Sequence, residues 1–546
     1  MDIKKYLFYL PKEENKFVLN VDEKKLCKES KSDTYKFLKV SKNLKENLDV
    51  VKQAFSVPIN FDFVIREFKI NLFGKLTDGF LVFFDGLVKA DYINRDILNP
   101  LMKGDLQNTG ENENSVKNQS VEDAVYTRLI TQAPLDKKTN MGEIFEMVDF
   151  GNCAVFVDGA ECAFVADVKG WNGRDVGKPI TEAVLSGPQE AFNEKIMTNI
   201  GLIRKILKDS NVVSEKISVG KRSQTPCALM YINGITNKNL VCEVRKRLEE
   251  ISLDYVFSSA DIEMMAEDSA SFPLPQIIKT ERPDRAASHL ADGKVVVIVQ
   301  GSPFVLVVPG TAKDLIEASE DNYVRMAEAN FMRCVRILGI VLALFLPGAF
   351  AAAALYHHES LPTDLLFAIE ATREQMPFSV AAELVVMIIS FELIKEASVR
   401  IPDPIGSTLG IVGGLILGQA AVSAGIASPM LIIVVSVAGL GAFAVPSLSL
   451  SRAISVLQLV FVFLGWGAGV FGIAFGIYLS AICLGGQNSF GVPFLSSGDG
   501  KKGGLFKSFM LIKPIWKREI RPTNLGVEEK RKQPHISRKW KYGKKD

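Results

Sequence analysis

ILGIVLALFLPGAFAAAALY, at residues 337–356, is a run of 20 residues without a charged side chain. A helix needs about 18 or more apolar residues to cross a hydrocarbon core about 30 Å thick. Three later stretches pass the same test, at 405–426, 430–448 and 456–484. The preceding 336 residues are rich in charged side chains and typical of soluble protein. The order predicts a cytosolic head fixed to an α-helical, polytopic transmembrane domain.

A fifth apolar segment, 379–396, is shorter and contains Glu383 and Glu392. Three arginines lie between 325 and 336, and the tail 501–546 has 15 Lys and Arg against four acids. Cytoplasmic flanks of membrane helices are enriched in such cations. Both flanks are therefore expected in the cytoplasm, which requires an even number of crossings. We accordingly expect 379–396 to be a re-entrant or interfacial helix, with a fifth crossing as the alternative.

The head contains an internal duplication. Four times a strand-like run ends in a polar residue and glycine: FFDG at 83–86, FVDG at 156–159, YING at 231–234 and IVQG at 298–301. Such dipeptides supply the positive φ angles of tight turns. The first and third copies are followed by helix-period runs, and the second and fourth are each preceded by a glycine eight residues before the turn glycine. We expect an α/β head of two similar subdomains, although frequent hairpin turns alone could give part of this pattern.

The chain of 546 residues exceeds the roughly 250–300 residues that one core usually supports. We expect a charged lead-in (1–43), α/β subdomain 1 (44–186, with a disordered linker at 103–120), α/β subdomain 2 (187–318), the transmembrane helical domain (319–484) and a basic cytoplasmic tail (485–546). The stretch 187–207 has a helical pattern and should join the two subdomains.

Motifs of enzymes and cofactor sites are absent from the sequence. There is no GxxxxGK[ST] phosphate loop, and the glycine cluster at 465–472 lies within an apolar span, where it cannot hold a pyrophosphate. The seven cysteines have no CxxC or metal-ligand spacing. A hairpin turn at 158–159 would pair Val155 with Cys162 and leave Cys153 diagonal to it, so free thiols are expected. We expect no catalytic residue, cofactor or metal, and a protein that is not an enzyme.

Two clusters allow a second interpretation. His357, His358 and Glu359 suggest a metal or proton site. Adjacent side chains do not share a helix face, so an interfacial loop is preferred. The basic tail, with aromatic residues such as Trp516 and Trp540, could bind nucleic acid. A polybasic segment after a last span is more typical of a membrane-surface element, so we expect membrane lipid and no nucleic acid as its partner.

Charged residues interrupt the apolar block between its first and second spans. Ionisable groups at membrane depth are costly and usually functional. The candidates for an ion path or for gating are Glu370, Arg373, Glu383, Glu392, Lys395, Glu396 and Arg400. The alternative is that these side chains lie on the wet side of an interfacial helix.

Small residues recur at helical spacing in two of the predicted spans. They are Gly414, Gly418, Ala421 and Gly425 in one span and Gly469, Gly472 and Gly476 in the other. Small side chains let helix backbones approach closely in lipid. These faces are expected to pack against other helices, within the chain or between subunits.

A series of long, ordered motifs resembles the GerA family of spore germination proteins. The motifs are DFVIREF (62–68), DGLV (85–88), TEAVLSGPQEAF (181–192), TNI (198–200), GKRS (220–223), TERPDRAA (280–287), GSPFVLVVP (301–309), SFELIKEASVRIP (390–402), LGQAAVSAGI (417–426) and SFGVPF (489–494). The resemblance runs from about residue 44 to residue 525. Lys395 stands where the family often has Arg, which puts a role for a guanidinium fork at that position in doubt.

The resemblance implies the A subunit of a nutrient germinant receptor in the spore inner membrane, with both termini on the cytoplasmic (core) side. Such subunits are thought to work with a permease-like B subunit and a lipoprotein C subunit, and to oligomerise into a ligand-gated ion channel that triggers germination. Germinant recognition is attributed mainly to the B subunit, and the A subunit would convert that signal into ion release.

Three alternatives remain for the function. A sister branch of the family is associated with dipicolinic acid release, although the long lead-in here favours the receptor branch. A passive assembly scaffold would not conduct ions. A solute transporter would need a second inverted repeat, which four unequal spans do not indicate.

Overall fold

The structure is a computed structural model. It describes residues 19, 35, 37–72, 75–103, 122, 125–126, 130–131, 135–170, 177–269, 273–374, 376–400, 418–496 and 511–533. Most of the predicted lead-in, nearly all of the predicted linker at 103–120 and most of the predicted span at 405–426 lie outside these residues.

The first α/β unit contains a five-stranded sheet in the order β1-β2-β4-β5-β3. Every neighbouring pair of strands in it is antiparallel. The strands are β1 (Phe63–Leu72), β2 (Lys75–Phe84), β3 (Leu135–Lys138), β4 (Cys153–Val157) and β5 (Ala163–Ala166). The helices are α1 (Leu44–Ala54), three short helical pieces (Ala90–Tyr92, Ile93–Leu98 and Asn99–Lys103) and α2 (Met141–Asp149).

The second unit repeats this arrangement, with the strand order β6-β7-β9-β10-β8 and antiparallel neighbours. Its strands are β6 (Val212–Val219), β7 (Thr225–Ile232), β8 (Ile278–Thr280), β9 (Val295–Val299) and β10 (Val305–Val308). Its helices are α3 (Ile196–Ile206), α4 (Lys238–Glu250), α5 (Ser259–Ala266), α6 (Pro283–Ala291) and α7 (Ala312–Ile316). The third and fourth strands of each unit are separated by one helix, α2 or α6. The predicted fold class, two similar α/β subdomains joined to a helical domain, is confirmed.

The core of each unit lies on both faces of its sheet. The strands CAVFV at 153–157 and VVVIV at 295–299 are apolar throughout and buried at every residue. Unbroken apolar strands of this kind are covered on both sides by other elements. Alternate residues of β4 accordingly enter two separate clusters, Val155 with Phe164 in one and Phe156 with Val165 in the other.

The predicted register of the β4–β5 hairpin is wrong. Val155 pairs with Phe164 rather than with Cys162. Gly159 does adopt a positive φ of 82°, and the Ala160 amide donates to the Val157 carbonyl at 3.2 Å. Two further residues follow this turn before β5 begins, so the ladder is shifted by two positions. Cys153 and Cys162 are both buried free thiols.

The helix predicted at 187–207 begins only at Ile196. Before it, the chain is held in extended form by bonds that a helix would not allow. The Phe192 amide donates to the Glu281 carbonyl at 2.8 Å. The Asn193 amide donates to Asn199 Oδ1 at 2.9 Å, which fixes the entry to the helix.

The helical block comprises α8 (Met326–Tyr356), α9 (Thr363–Arg373), α10 (Val380–Arg400), α11 (Pro429–Phe443) and α12 (Leu448–Gly486). By length and apolar composition, α8 and α12 can each cross a membrane. The span predicted at 337–356 lies within α8. The span predicted at 430–448 corresponds to α11, which ends at Phe443.

Helix α12 is folded back on itself, so the stretch predicted as one span at 456–484 is two segments. Gly469 interrupts it with φ 59° and ψ −142°. A Cβ placed on Gly472 would lie 2.1 Å from the carbonyl oxygen of Leu464. Eight residues of a continuous helix rise about 12 Å, so this contact requires a sharp turn. The segments 448–468 and 470–486 therefore form a helical hairpin around Gly469.

Helix α10 is continuous over 21 residues, about 31 Å at the usual rise. Near its start, Leu384 packs with Ala354 at the end of α8. Further along, Glu392 contacts Ser455 near the start of α12. The helix therefore contacts other helices of the block at both points, and the re-entrant or interfacial helix at 379–396 stays a prediction.

The chain after α12 returns to the second unit. A short hairpin of β11 (Asn488–Ser489) and β12 (Val492–Pro493) is followed, after a gap in the described residues, by 511–533. Phe490, Val492, Leu525 and Val527 belong to the core of the second sheet. Part of the segment predicted as a basic tail is thus packed against the head.

Candidate functional site

A polar cluster lies inside the helical block where α10 meets α12. Glu392 accepts a hydrogen bond from Ser455 Oγ at 2.7 Å and pairs with Lys395 Nζ at 3.4 Å. The ammonium of Lys395 also lies 5.6 Å from the ring centroid of Phe443 on α11. The cluster therefore connects three helices through one carboxylate and one ammonium group. Both side chains keep part of their surface exposed, 40% for Glu392 and 21% for Lys395.

Glu383 forms a second polar point, two and a half turns earlier on α10. Its residue is 3% exposed, and its Oε2 accepts from the Ser428 amide at 3.4 Å. Within the described part of the chain, Oε1 has no hydrogen-bond partner. Glu383 and Glu392 are nine residues apart on one helix, or about 14 Å along its axis. They are therefore two sites along the block rather than one cluster.

The other predicted ion-path residues are spread around these points. Glu370 is exposed on α9, and Arg373 lies near the end of the same helix with its Nη1 3.5 Å from the Ala354 carbonyl. Glu396 is exposed on α10. Arg400 ends that helix, and its side chain lies outside the described residues. The structure thus brings together Glu392 and Lys395 from the predicted set.

Close contacts of α8 with α11 and α12 involve glycines that the sequence analysis missed. A Cβ on Gly441 of α11 would lie 2.4 Å from the Gly339 carbonyl oxygen, and a Cβ on Gly465 of α12 would lie 2.3 Å from that of Gly348. Gly339 and Gly348 are both on α8. Spacing within one helix could not reveal these pairs, because each pair is formed by two different helices.

The predicted small-residue positions have different roles. Ala421 is buried, Gly418 has only an ordinary contact at 3.8 Å, and Gly425 has a positive φ of 65°. Gly414 lies outside the described residues. Gly472 and Gly476 pack against Leu464 within the α12 hairpin, and Gly469 is the turn itself.

The turn at Gly469 is held by the end of α8. The hydroxyl of Tyr356 donates to the Gly467 carbonyl at 3.4 Å. The Val470 amide, the first donor after the break, lies 3.4 Å from His357 Nε2. Free amides at a helix start need an acceptor, and the Nε2 atom of His357 takes this place. His357 therefore has a backbone partner in the helical block.

The motif at 489–494 connects the helical block to the head. Ser489 Oγ donates to the Gln276 carbonyl at 2.7 Å and accepts from the Gly310 amide at 3.0 Å. The amide of Phe490 donates to Asp268 Oδ2 at 2.7 Å, and its side chain is 1% exposed in the core of the second unit. The segment that follows α12 is thus bonded directly to the second unit.

Two other motifs, at 181–192 and 280–287, bind each other. Glu281 Oε1 accepts from Thr181 Oγ1 and from the Glu182 amide, both at 2.8 Å. Arg282 donates to the Pro188 carbonyl at 2.9 Å. These residues hold the connection between the two units against the second one.

A buried ion pair joins the first unit to the second. Arg204 Nε donates to Asp62 Oδ2 at 2.6 Å, and neither side chain is more than 2% exposed. Asp62 also accepts from Ser214 Oγ at 2.6 Å. Asp62 precedes β1, whereas Arg204 is on α3, 142 residues later. No sequence pattern indicates this pairing beyond the position of Asp62 in the motif DFVIREF.

A model of the family described as Bacillus/Clostridium GerA spore germination protein matches residues 49–524. The chain belongs to the GerA family of spore germination proteins. The resemblance expected from the motifs is therefore confirmed over most of the chain.

Relatives support the same family. Spore germination protein KA of Bacillus subtilis (strain 168) is 32% identical over 501 residues, which cover 90% of this chain and 89% of that protein. Spore germination protein GerLA of Bacillus cereus is 33% identical over 459 residues, covering 84% and 91%. The crystal structure of the N-terminal domain of the A subunit of the Bacillus megaterium spore germinant receptor GerK3 is 28% identical and has a TM-score of 0.36. It covers 50% of this chain and 96% of that chain.

Proposed function

We propose that this GerA-family protein is the A subunit of a nutrient germinant receptor and oligomerises as a ligand-gated ion channel. Membership of the family and the two membrane-length helices support the first part. The observation that carries the channel proposal is the group of Glu392, Lys395 and Ser455 inside an apolar helical block. Charged groups within membrane helices are costly and usually functional, which favours a role in ion passage or gating.

The receptor is proposed to lie in the spore inner membrane with both chain termini on the core side. A permease-like B subunit and a lipoprotein C subunit are the proposed partners, and the protein is proposed to act without enzymatic chemistry. A germinant signal would reach the helices through the head. The contacts of Ser489 and Phe490 with the second unit offer a physical route for it.

Spores that carry Glu392→Gln test this function. The substitution keeps the shape and removes the negative charge that attracts cations. We expect ion release after germinant addition to slow at least severalfold, with the amount of receptor in the membrane unchanged. Glu359→Gln is the matched control, because Glu359 is an exposed glutamate of the same block.

The scaffold alternative gives the opposite result. A scaffold predicts that Glu383→Ala and Glu392→Ala leave ion release unchanged while the abundance of the complex falls. Immunoblots of inner-membrane fractions and ion release from the same spores measure both quantities. Normal ion release together with a reduced abundance of the complex would support the scaffold and contradict the channel proposal.

A further inference from the structure

A cavity of about 480 Å³ lies where the second unit, helix α8 and the C-terminal segment meet. We call it the junction cavity. Residues of α6 and of the stretch 311–323 form one wall, Arg333 of α8 forms another, and residues 511–513 and 517–525 with Lys532 close it. Nine Lys and Arg residues line it against five Asp and Glu residues. The charge of the lining favours an anion.

Most of the acids in the lining are already paired with lining cations. Lys294 Nζ contacts Asp314 at 2.6 Å, Lys532 contacts Asp292 at 2.6 Å, and Arg333 lies 3.2 Å from Glu317. The opposite charges of these pairs cancel within the lining of the cavity. The excess positive charge therefore rests on other lysines and arginines.

Arg518 and Lys517 carry part of that excess. Arg518 donates to two neutral oxygens, the Lys513 carbonyl and Asn322 Oδ1, each at 2.9 Å. No ion pair of Lys517 is found within the described ranges, and its side chain is exposed. Within the described part of the chain, two adjacent cations without a carboxylate partner thus line the cavity.

Arg333 supplies buried donors. The residue is 1% exposed, yet its Nε and Nη2 have no hydrogen-bond acceptor among the described residues. Glu317 and Asp321 balance its charge at 3.2 and 3.8 Å without accepting a well-directed bond. The half-buried hydroxyl of Ser319, also in the lining, is likewise without a partner in that part of the chain. Buried donors without acceptors cost free energy, and an oxygen ligand in the cavity would remove this cost.

The segment that closes the cavity carries large exposed apolar side chains, which we call the rim. Leu511 and Ile520 line the cavity, and Ile515 and Trp516 are exposed residues of the same segment, just before Lys517. Arg333 lies four residues before the apolar run that starts at Ile337. Tryptophan with neighbouring cations is typical of the interface between water and lipid headgroups. The rim therefore favours a ligand with an apolar tail over a free ion.

We propose that the junction cavity binds a phosphate group, and that this group is the headgroup of an anionic phospholipid. Arg333, Lys517 and Arg518 supply charge-assisted donors to its oxygens. The apolar rim covers the start of the acyl chains. The proposal is independent of ion conduction, because it concerns binding alone.

The test uses the full chain in a neutral maltoside micelle. Dioctanoyl-phosphatidylglycerol, dioctanoyl-phosphatidylcholine, sodium phosphate and sodium chloride of matched ionic strength are each titrated, and the midpoint of thermal unfolding gives an apparent Kd. We expect phosphatidylglycerol to raise the midpoint at the lowest concentration. Lys517→Gln/Arg518→Gln weakens its Kd about tenfold or more, because two charged hydrogen-bond donors to the phosphate are lost. Arg333→Lys weakens this binding as well, because lysine lacks the planar, forked donors of the arginine guanidinium.

The matched control is Lys221→Gln/Arg222→Gln, which removes two adjacent exposed cations elsewhere on the second unit. It should bind phosphatidylglycerol like the wild type. Equal protection by sodium phosphate, lost in the cavity variants, would support the anion site and overturn the lipid assignment. Equal protection of all proteins by phosphatidylglycerol, or by sodium chloride, would overturn the site.

Discussion

A few buried side chains set the geometry of the interface between the two units of the head. Asp62 and Arg204 form a pair without solvent contact, and Ser214 and Asn60 complete its hydrogen bonds. A buried pair need not add to stability, but removal of one partner leaves an uncompensated charge. Such a residue is expensive to change and specifies one geometry of the interface.

Asp62→Asn should therefore lower the stability of the head by about 3–5 kcal/mol. Thermal unfolding of the detergent-solubilised chain measures the effect. Asp78→Asn is the control, because Asp78 forms an exposed pair with Lys69 at 3.8 Å and should change stability by about 1 kcal/mol or less. Equal midpoints for the two variants would show that the buried pair does not hold the units together.

His289 on α6 makes the stability of the head depend on pH. Burial and the neighbouring charge of Lys294 lower the pKa of His289 well below its usual value near 6.5, against the opposing effect of Asp314. The unfolded chain therefore binds a proton below pH 6.5 that the folded chain does not bind. The contribution of His289 to the free energy of unfolding is complete above about pH 7. It is lost as the pH falls below 6.5 towards the pKa of His289 in the folded state.

Between pH 6.5 and 5, wild type should lose up to about 1.4 kcal/mol per pH unit relative to His289→Gln. Unfolding midpoints of both proteins at several pH values give this difference. The comparison removes the opposing effect of Asp149, whose pKa is raised by burial in both proteins. Unfolding midpoints of wild type and His289→Gln that change in parallel with pH would contradict the assignment of this pH dependence to His289.

Helix packing in the membrane block depends on backbone contacts at glycine. A methyl group on Gly465 would overlap the Gly348 carbonyl oxygen at 2.3 Å, and neither backbone can move aside easily. Overpacking of this kind typically costs about 1–3 kcal/mol. The contact between α8 and α12 therefore tolerates no side chain at this point.

Gly465→Ala should lower the midpoint of thermal unfolding in detergent and reduce the amount of folded protein. Gly467→Ala is a matched control two residues away, because a Cβ there meets no atom within 4 Å. The control should unfold at or slightly above the wild-type temperature, since alanine favours the helix. A drop in both variants, or in neither, would contradict the close contact.

Local patterns predicted the elements better than their pairings. The turns FVDG and YING are local signals, so two strand-rich units could be recognised from them. The β4–β5 register depends on two residues after the turn, which no dipeptide signal specifies. The break at Gly469 was missed because a glycine that turns a helix and a glycine that packs one look alike in an apolar run.

The whole molecule is organised around the junction of head and helices. The chain leaves the second unit into α8 and comes back after α12 to place Phe490 in the same core. Sequence analysis identified the motif at 489–494 but not its position, because the contact with Gln276 spans 213 residues. Glu392 was singled out from the sequence as an ion-path candidate, and that role stays a prediction, whereas its contact with Ser455 depends on tertiary structure.

The central proposal is that this helical block conducts ions and that Glu392 acts on them directly. Purified wild-type protein, alone and with its proposed partner subunits, would be placed in planar bilayers and compared with Glu392→Gln and the control Glu359→Gln. We predict single-channel currents for wild type and control, and a several-fold smaller conductance for Glu392→Gln at low salt, where a fixed charge is least screened. Absence of single-channel currents in every subunit combination would contradict the proposal.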